Sequence, residues 1–211
     1  MLGDLFNLSL MAVFIPTFFF VSATPGMCMT LSMTLGMTIG LRRTLWMMAG
    51  ELVGVGLVAL LSVIGAAALM LQYPLAFDLF KLGGGAYLGY LGVQLWLSRG
   101  KMALKNDTRA QQTLSARTLM AQGFITAVAN PKGWAFFIAL LPPFISDDYP
   151  ILPQVGLLIG LILLIEFICL VIYASGGRSL SRLLTHSGNV RLMNRIAGTL
   201  MLGVGLWLAL G

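Results

Sequence analysis

The chain has 211 residues, of which 58% are hydrophobic and only 9% charged, and its mean hydropathy is +0.93. That is far too apolar for a soluble domain of this length. The formal net charge of +6 would suit a nucleic-acid surface, but the placement of the basic residues, described below, assigns them to membrane topology instead.

The apolar runs are Leu5–Gly40, Leu45–Leu71, Leu79–Leu97, Leu119–Leu141, Ile151–Ser175 and Leu192–Leu210. All but the first have the length of one membrane-spanning helix, about 20 residues with some tilt. The first would be about 54 Å long as one straight helix at 1.5 Å per residue, too long for one span, and it lacks a polar loop that would make two. It contains Val21-Ser-Ala-Thr-Pro25-Gly26-Met27-Cys28. Proline removes a backbone donor and clashes with the preceding turn, so this run is expected to be one span broken at Pro25-Gly26. The start is Met1-Leu-Gly-Asp4, without the positive segment of a cleaved signal peptide.

The second run opens with Trp46 near the expected interface and continues Met48-Ala-Gly50-Glu51-Leu-Val-Gly54. Gly50 and Gly54 form a small-xxx-small pair that lets another helix approach closely. Glu51 lies about 10 Å inside its cytoplasmic end by helix rise. It reads equally as a hydrogen-bonded interfacial carboxyl or as a proton or substrate group. The third run, Gly85-Ala-Tyr87-Leu-Gly89-Tyr90-Leu-Gly92-Val-Gln94, repeats the four-residue glycine spacing and reads as a packing surface. Tyr87, Tyr90 and Gln94 are candidates to present polar tips to a cavity.

Residues 99–118 form a basic, polar cytoplasmic linker between two halves, 1–98 and 119–211. The fourth run carries Ala129-Asn130-Pro131-Lys132-Gly133, a second proline break that aligns with the first. Lys132 is mid-span, placed to meet freed carbonyls or a substrate carboxylate, and Asn130 can cap the broken helix or line a site. The fifth run has Glu166 within Leu163-Leu-Ile-Glu166-Phe, about 13 Å from its cytoplasmic end. Ionisable groups at that depth are costly and face the bundle interior or a water cavity, so Glu166 is the candidate proton carrier. The segment from Ser175 to Arg195 reads as a loop holding His186, a surface residue and not a ligand. Gly203 and Gly205 in the last run read as packing positions. Cys28 and Cys169 form no C-x-x-C pair and read as buried, inert thiols.

Assigning the 13 Lys and Arg residues to alternate sides puts Arg42, Arg43, Arg99, Lys101, Lys105, Arg109, Arg117, Arg178, Arg182, Arg191 and Arg195 on one side. Lys81 alone falls on the other, and Lys132 lies within a span. Cytoplasmic loops carry the excess of Lys and Arg, so both termini are expected outside. With three spans per half, the second half runs inverted relative to the first. Paired interruptions in two such halves point to a transporter's binding site.

The broken helix at Pro25-Gly26, Tyr87-Leu-Gly-Tyr90-Leu-Gly92, Asn130-Pro131-Lys132 and Asn194-Arg195-Ile-Ala-Gly198 together resemble the LysE/RhtB family of bacterial amino-acid exporters. The resemblance runs over nearly the whole chain. It implies a six-helix inner-membrane protein that drives efflux with the proton gradient, often as a homodimer. Two departures stand out: Met27 replaces the second proline of the family's Pro-Gly-Pro, and the family's second-helix acid falls nearer Val55 than Glu51.

The expectation is thus an all-α membrane protein, one transmembrane domain over 1–211, with six helices in two inverted three-helix repeats and helices 1 and 4 broken at proline. It would export a neutral or small amino acid, with no cofactor, metal or nucleic-acid partner and no enzymatic activity. Pro25, Gly26, Asn130 and Pro131 would shape the site. Lys132 would hold the substrate carboxylate, and Glu166, with Glu51 as a second candidate, would exchange protons. Metal export is the rival within transport, on a thin ligand set of two intramembrane carboxylates and no histidine. A membrane thiol-redox protein is the rival from another class, although Cys28 has no counterpart near Asn130-Pro131.

Overall fold

The computed structural model describes residues 8–97, 114–145, 149–185 and 187–210. These form eight α-helices in chain order. The first half holds α1 (Leu8–Ala23), α2 (Met27–Ile39), α3 (Leu41–Gln72) and α4 (Pro74–Leu97). The second holds α5 (Ala116–Val128), α6 (Pro131–Leu140), a 3-10 turn (Pro142–Phe144), α7 (Ile151–Thr185) and α8 (Ser187–Leu210).

Both expected breaks are present. Helices α1 and α2 meet at 57° across Thr24-Pro25-Gly26. Gly26 sits at the start of α2 in extended backbone, with no side chain capping the helix. The second break is built differently. Asn130 caps α6 by accepting from Lys132 N at 3.1 Å, and Pro131 occupies the first helical position, where a missing N–H costs nothing.

Segments Leu41–Gly65 and Ile151–Gly177 are each long and apolar enough to cross a membrane, and the bent pair α1–α2 makes a third candidate span. Two expected loops prove helical. Leu41, Arg42 and Arg43 form the first turn of α3, and the chain reverses instead at Gly40, whose φ of 76° suits glycine. The predicted loop from Ser175 to Arg195 is occupied by the ends of α7 and α8, with a kink at Gly177 (φ 37°). Polar composition alone does not unwind a helix, and charged residues at a helix end are free to sit in the aqueous layer. His186, Asp147, Asp148 and most of the 99–118 linker lie outside the described residues.

Glycine sets the packing. In a bilayer, helices associate through close van der Waals contact, and here backbones nearly touch. A Cβ at Gly50 would land on the Met120 carbonyl, and one at Gly123 on the Met47 carbonyl, so α3 and α5 cross at their small residues. Gly36 of α2 meets Ala174 of α7 in the same way. On the other flank α4 packs on α8, where a Cβ at Gly92 would sit 2.7 Å from the Gly198 carbonyl and one at Gly205 2.6 Å from the Gly85 carbonyl. Arg195 lies over the Trp96 ring at 4.9 Å, and Trp96 Nε1 donates to Thr199 Oγ1 at 3.0 Å. The Tyr87–Gly92 and Asn194–Gly198 stretches therefore serve this helix pair.

Two sequence expectations fail here. Gly203 has open space around it and only Gly205 is a packing position. Tyr87, Tyr90 and Gln94 are exposed on the outer face of α4, where Gln94 Nε2 donates to the Tyr90 hydroxyl, and they reach no cavity. Gly85 and Gly92 of α4 take the inward face, and the aromatics point outward.

Candidate functional site

The two breaks meet. At the first, Pro25 has no N–H to give the carbonyl of Val21 four residues earlier. Lys132 Nζ donates to that carbonyl at 3.0 Å, from the first turn of α6. The Ala23 carbonyl, last of α1, accepts from the Tyr173 hydroxyl at 2.7 Å. At the second break the Val128 carbonyl accepts from Trp134 Nε1 at 2.8 Å, because its own helical donor, Lys132 N, is engaged by Asn130. In each case a side chain replaces a bond that the broken helix forfeits, as buried backbone groups require. Asn130 Nδ2 reaches Cys28 Sγ at 3.6 Å, a further tie between the breaks.

Glu166 arrives from α7. It is buried, and its Oε2 accepts from Ser22 Oγ of α1 at 2.5 Å. Tyr173 follows seven residues later on the same helical face. Between these groups lies a cavity of about 70 Å³. Its polar lining includes Ser22, Thr24, Asn130, Lys132 and Glu166, and Phe18, Phe136, Phe137, Val55 and Val58 supply apolar walls. Phe18 packs on Phe136 at 5.8 Å and on Phe137 at 6.0 Å. A lysine and a glutamate thus share one small chamber, each held by a neutral neighbour.

Of the sequence candidates, Gly26, Asn130, Lys132 and Glu166 line this cavity. Pro25 and Pro131 shape the breaks without lining it; Pro131 is exposed. Glu51 is fully buried beside the Cys28 thiol and is not part of the lining. Cys28 and Cys169 are both buried and free. Sequence reasoning missed Ser22, Tyr173 and the aromatic wall. Helical spacing could have found the first two: Ser22 lies one turn before Gly26, and Tyr173 lies two turns after Glu166.

Residues 19–211 match the family described as LysE type translocator. The chain belongs to that family. An uncharacterized membrane protein of Vibrio cholerae is 30% identical over 188 residues, 89% of this chain and 90% of the relative. The homoserine/homoserine lactone efflux protein of Salmonella typhimurium is 28% identical over 189 residues, 90% of each chain. Its namesake from Salmonella typhi is 29% identical over 161 residues, 76% of this chain and 77% of the relative. No solved structure matches. Membership in a translocator family, bacterial membrane-protein relatives and the apolar helices make this a multi-pass membrane protein.

Proposed function

We propose that this translocator exports a small neutral amino acid across a bacterial inner membrane in exchange for protons. The observation that carries the reading is the shared chamber: Lys132 and Glu166 face one cavity where the two broken helices meet. A zwitterion presents a carboxylate and an ammonium a few ångströms apart, and these two side chains are complementary to both. The remaining wall, Phe18, Val55, Val58, Phe136 and Phe137, is apolar and suits an uncharged side chain. The efflux activity in the names of the Salmonella relatives supports the export direction.

The exchange follows from the positions. In the structure Lys132 is engaged by the Val21 carbonyl and Glu166 by Ser22. An incoming carboxylate competes for the ammonium, because a charged acceptor forms a stronger hydrogen bond than a neutral one. The substrate ammonium takes the place of the proton on Glu166, so carboxyl occupancy alternates between proton and substrate. A cavity of 70 Å³ is well below the roughly 300–1,000 Å³ of ligand pockets. The conformation is therefore a contracted one, and loading requires the short helices α2 and α6 to swing at their breaks.

Contacts between elements support six spans in two inverted repeats. Helix α3 packs on α7 and α4 on α8, which are equivalent members of the two halves. The α2–α7 contact has its counterpart in α3–α6, and α3–α5 in α1–α7. Both termini are periplasmic on this reading.

Inside-out vesicles containing the protein, energised to an acidic interior, test it with a panel of labelled amino acids. Small neutral amino acids should accumulate and a protonophore should abolish the accumulation. No accumulation of any amino acid would overturn the substrate class, and accumulation indifferent to the protonophore would overturn the coupling.

A further inference from the structure

Glu51 takes no part in the exchange just described, yet its setting is unusual. It is 0% exposed, and neither carboxylate oxygen has a hydrogen-bond partner. It shares a face of α3 with Val55 and Val58, four and seven residues on, and both valines line the cavity. Cys28 also lines the cavity and stands within electrostatic reach of both Glu51 and Glu166. On the other side α5 presses in, where a Cβ at Gly123 would sit 2.9 Å from Glu51 N. The titratable groups facing Glu51 are Cys28 from α2 and Glu166 from α7. Lys132 of α6 is engaged at Val21, and α5 carries no ionisable side chain but Arg117 in its first turn.

We propose that Glu51 is a second proton-binding residue, in series with Glu166 and shut off from the cavity by the Cys28 thiol. The proposal rests on the proton-exchange reading. A buried carboxylate anion whose one nearby donor is the weak Cys28 thiol is far costlier than the neutral acid, so Glu51 carries a proton in this conformation. Glu166 differs in having a donor from Ser22 and in sharing its chamber with Lys132, so the two carboxyls absorb at different frequencies. The step that links them conserves charge. When α2 moves Cys28 aside, Glu51 gives up its resting proton, and its carboxylate then takes the proton that the Glu166 carboxyl loses as the substrate ammonium arrives. Glu51 then releases that proton to cytoplasmic water.

Infrared spectroscopy of the full-length protein in lipid, without substrate at neutral pH, reads the C=O band of a protonated carboxyl. The wild-type band should contain a component that is lost in Glu51→Gln and retained in Glu166→Gln. Where Glu51→Gln does not reach the membrane, Glu51→Asp should shift the band. In heavy water, Cys28→Ala should speed its deuterium shift at least tenfold, because the thiol is the barrier. A band left unchanged by Glu51→Gln or by Glu51→Asp overturns the proton site, and an unchanged deuterium rate in Cys28→Ala overturns the barrier. None of these readouts involves transport, so a failure of the export reading is distinguishable: vesicle accumulation would be absent while the Glu51 band stayed. In the transport arm, Glu51→Gln should shift the pH profile of efflux, which a purely structural role would leave in place.

Discussion

Replacing Lys132 with methionine keeps a long unbranched stem and removes the charge and all three donors. In the structure that ammonium donates to the Val21 carbonyl at 3.0 Å, and the same carbonyl has a longer bond from Thr24 N at 3.3 Å. The variant leaves this carbonyl weakly satisfied rather than orphaned. The stability loss should therefore fall near the lower end of the roughly 1–3 kcal/mol typical of an unsatisfied buried group, and the protein should still accumulate in the membrane. The transport effect is larger. A hydrogen bond to a charged group contributes about 1.5–3 kcal/mol, and each 1.36 kcal/mol is a factor of about ten. The expected loss in kcat/KM is thus about 10- to 160-fold for an amino acid whose carboxylate meets Lys132. The assay is counterflow in proteoliposomes, comparing one amino acid with its amide, which lacks the carboxylate charge. The amide should lose less than the amino acid, since its neutral carbonyl accepts from the ammonium without the second charge that strengthens the carboxylate's bond. Equal losses for both substrates, or none for either, would refute the assignment of Lys132 to the carboxylate.

Three further outcomes are expected. Glu166→Gln retains an acceptor for the Ser22 hydroxyl and should fold, yet it should no longer concentrate substrate against a pH gradient; unchanged gradient-driven efflux would confine Glu166 to structure. Gly50→Ala drives a methyl onto the Met120 carbonyl, whereas Gly65→Ala meets open space. The first should destabilise by about 1–3 kcal/mol through overpacking and the second should be neutral or stabilising by up to about 1 kcal/mol, as read by thermal denaturation in detergent. A reporter active only in the periplasm should work when fused after Asp148 or Gly211 and fail after Asp107, and periplasmic activity at Asp107 would overturn the proposed topology.

Much of this architecture was legible before any coordinates. Pro25-Gly26 and Asn130-Pro131 marked both helix breaks because proline's missing N–H is a local, covalent fact. The four-residue spacings at Gly50/Gly54 and Gly85/Gly89 announced close helix contacts, which α5 and α8 supply. The burial of Glu166 followed from its depth in an unbroken apolar run, where no water-facing alternative exists.

What needed the tertiary structure was every choice between equivalent partners. Composition left Ser175–Arg195 as a loop, but helical hydrogen bonds close within the segment regardless of how polar its side chains are. Gly203 and Gly205 are indistinguishable in sequence, and only the rotation of α8 against α4 puts one at the contact and leaves the other open. The same rotation turns Tyr87, Tyr90 and Gln94 outward. Lys132 could reach freed carbonyls or a substrate, and it is the crossing of α6 behind α1 that brings its ammonium to Val21. Glu51 and Glu166 are both intramembrane carboxyls in the sequence, yet Ser22 meets only Glu166 while Cys28 lies beside Glu51. Chain-local patterns depend on neighbours a few residues away, whereas these distinctions depend on helices brought together from more than 100 residues apart.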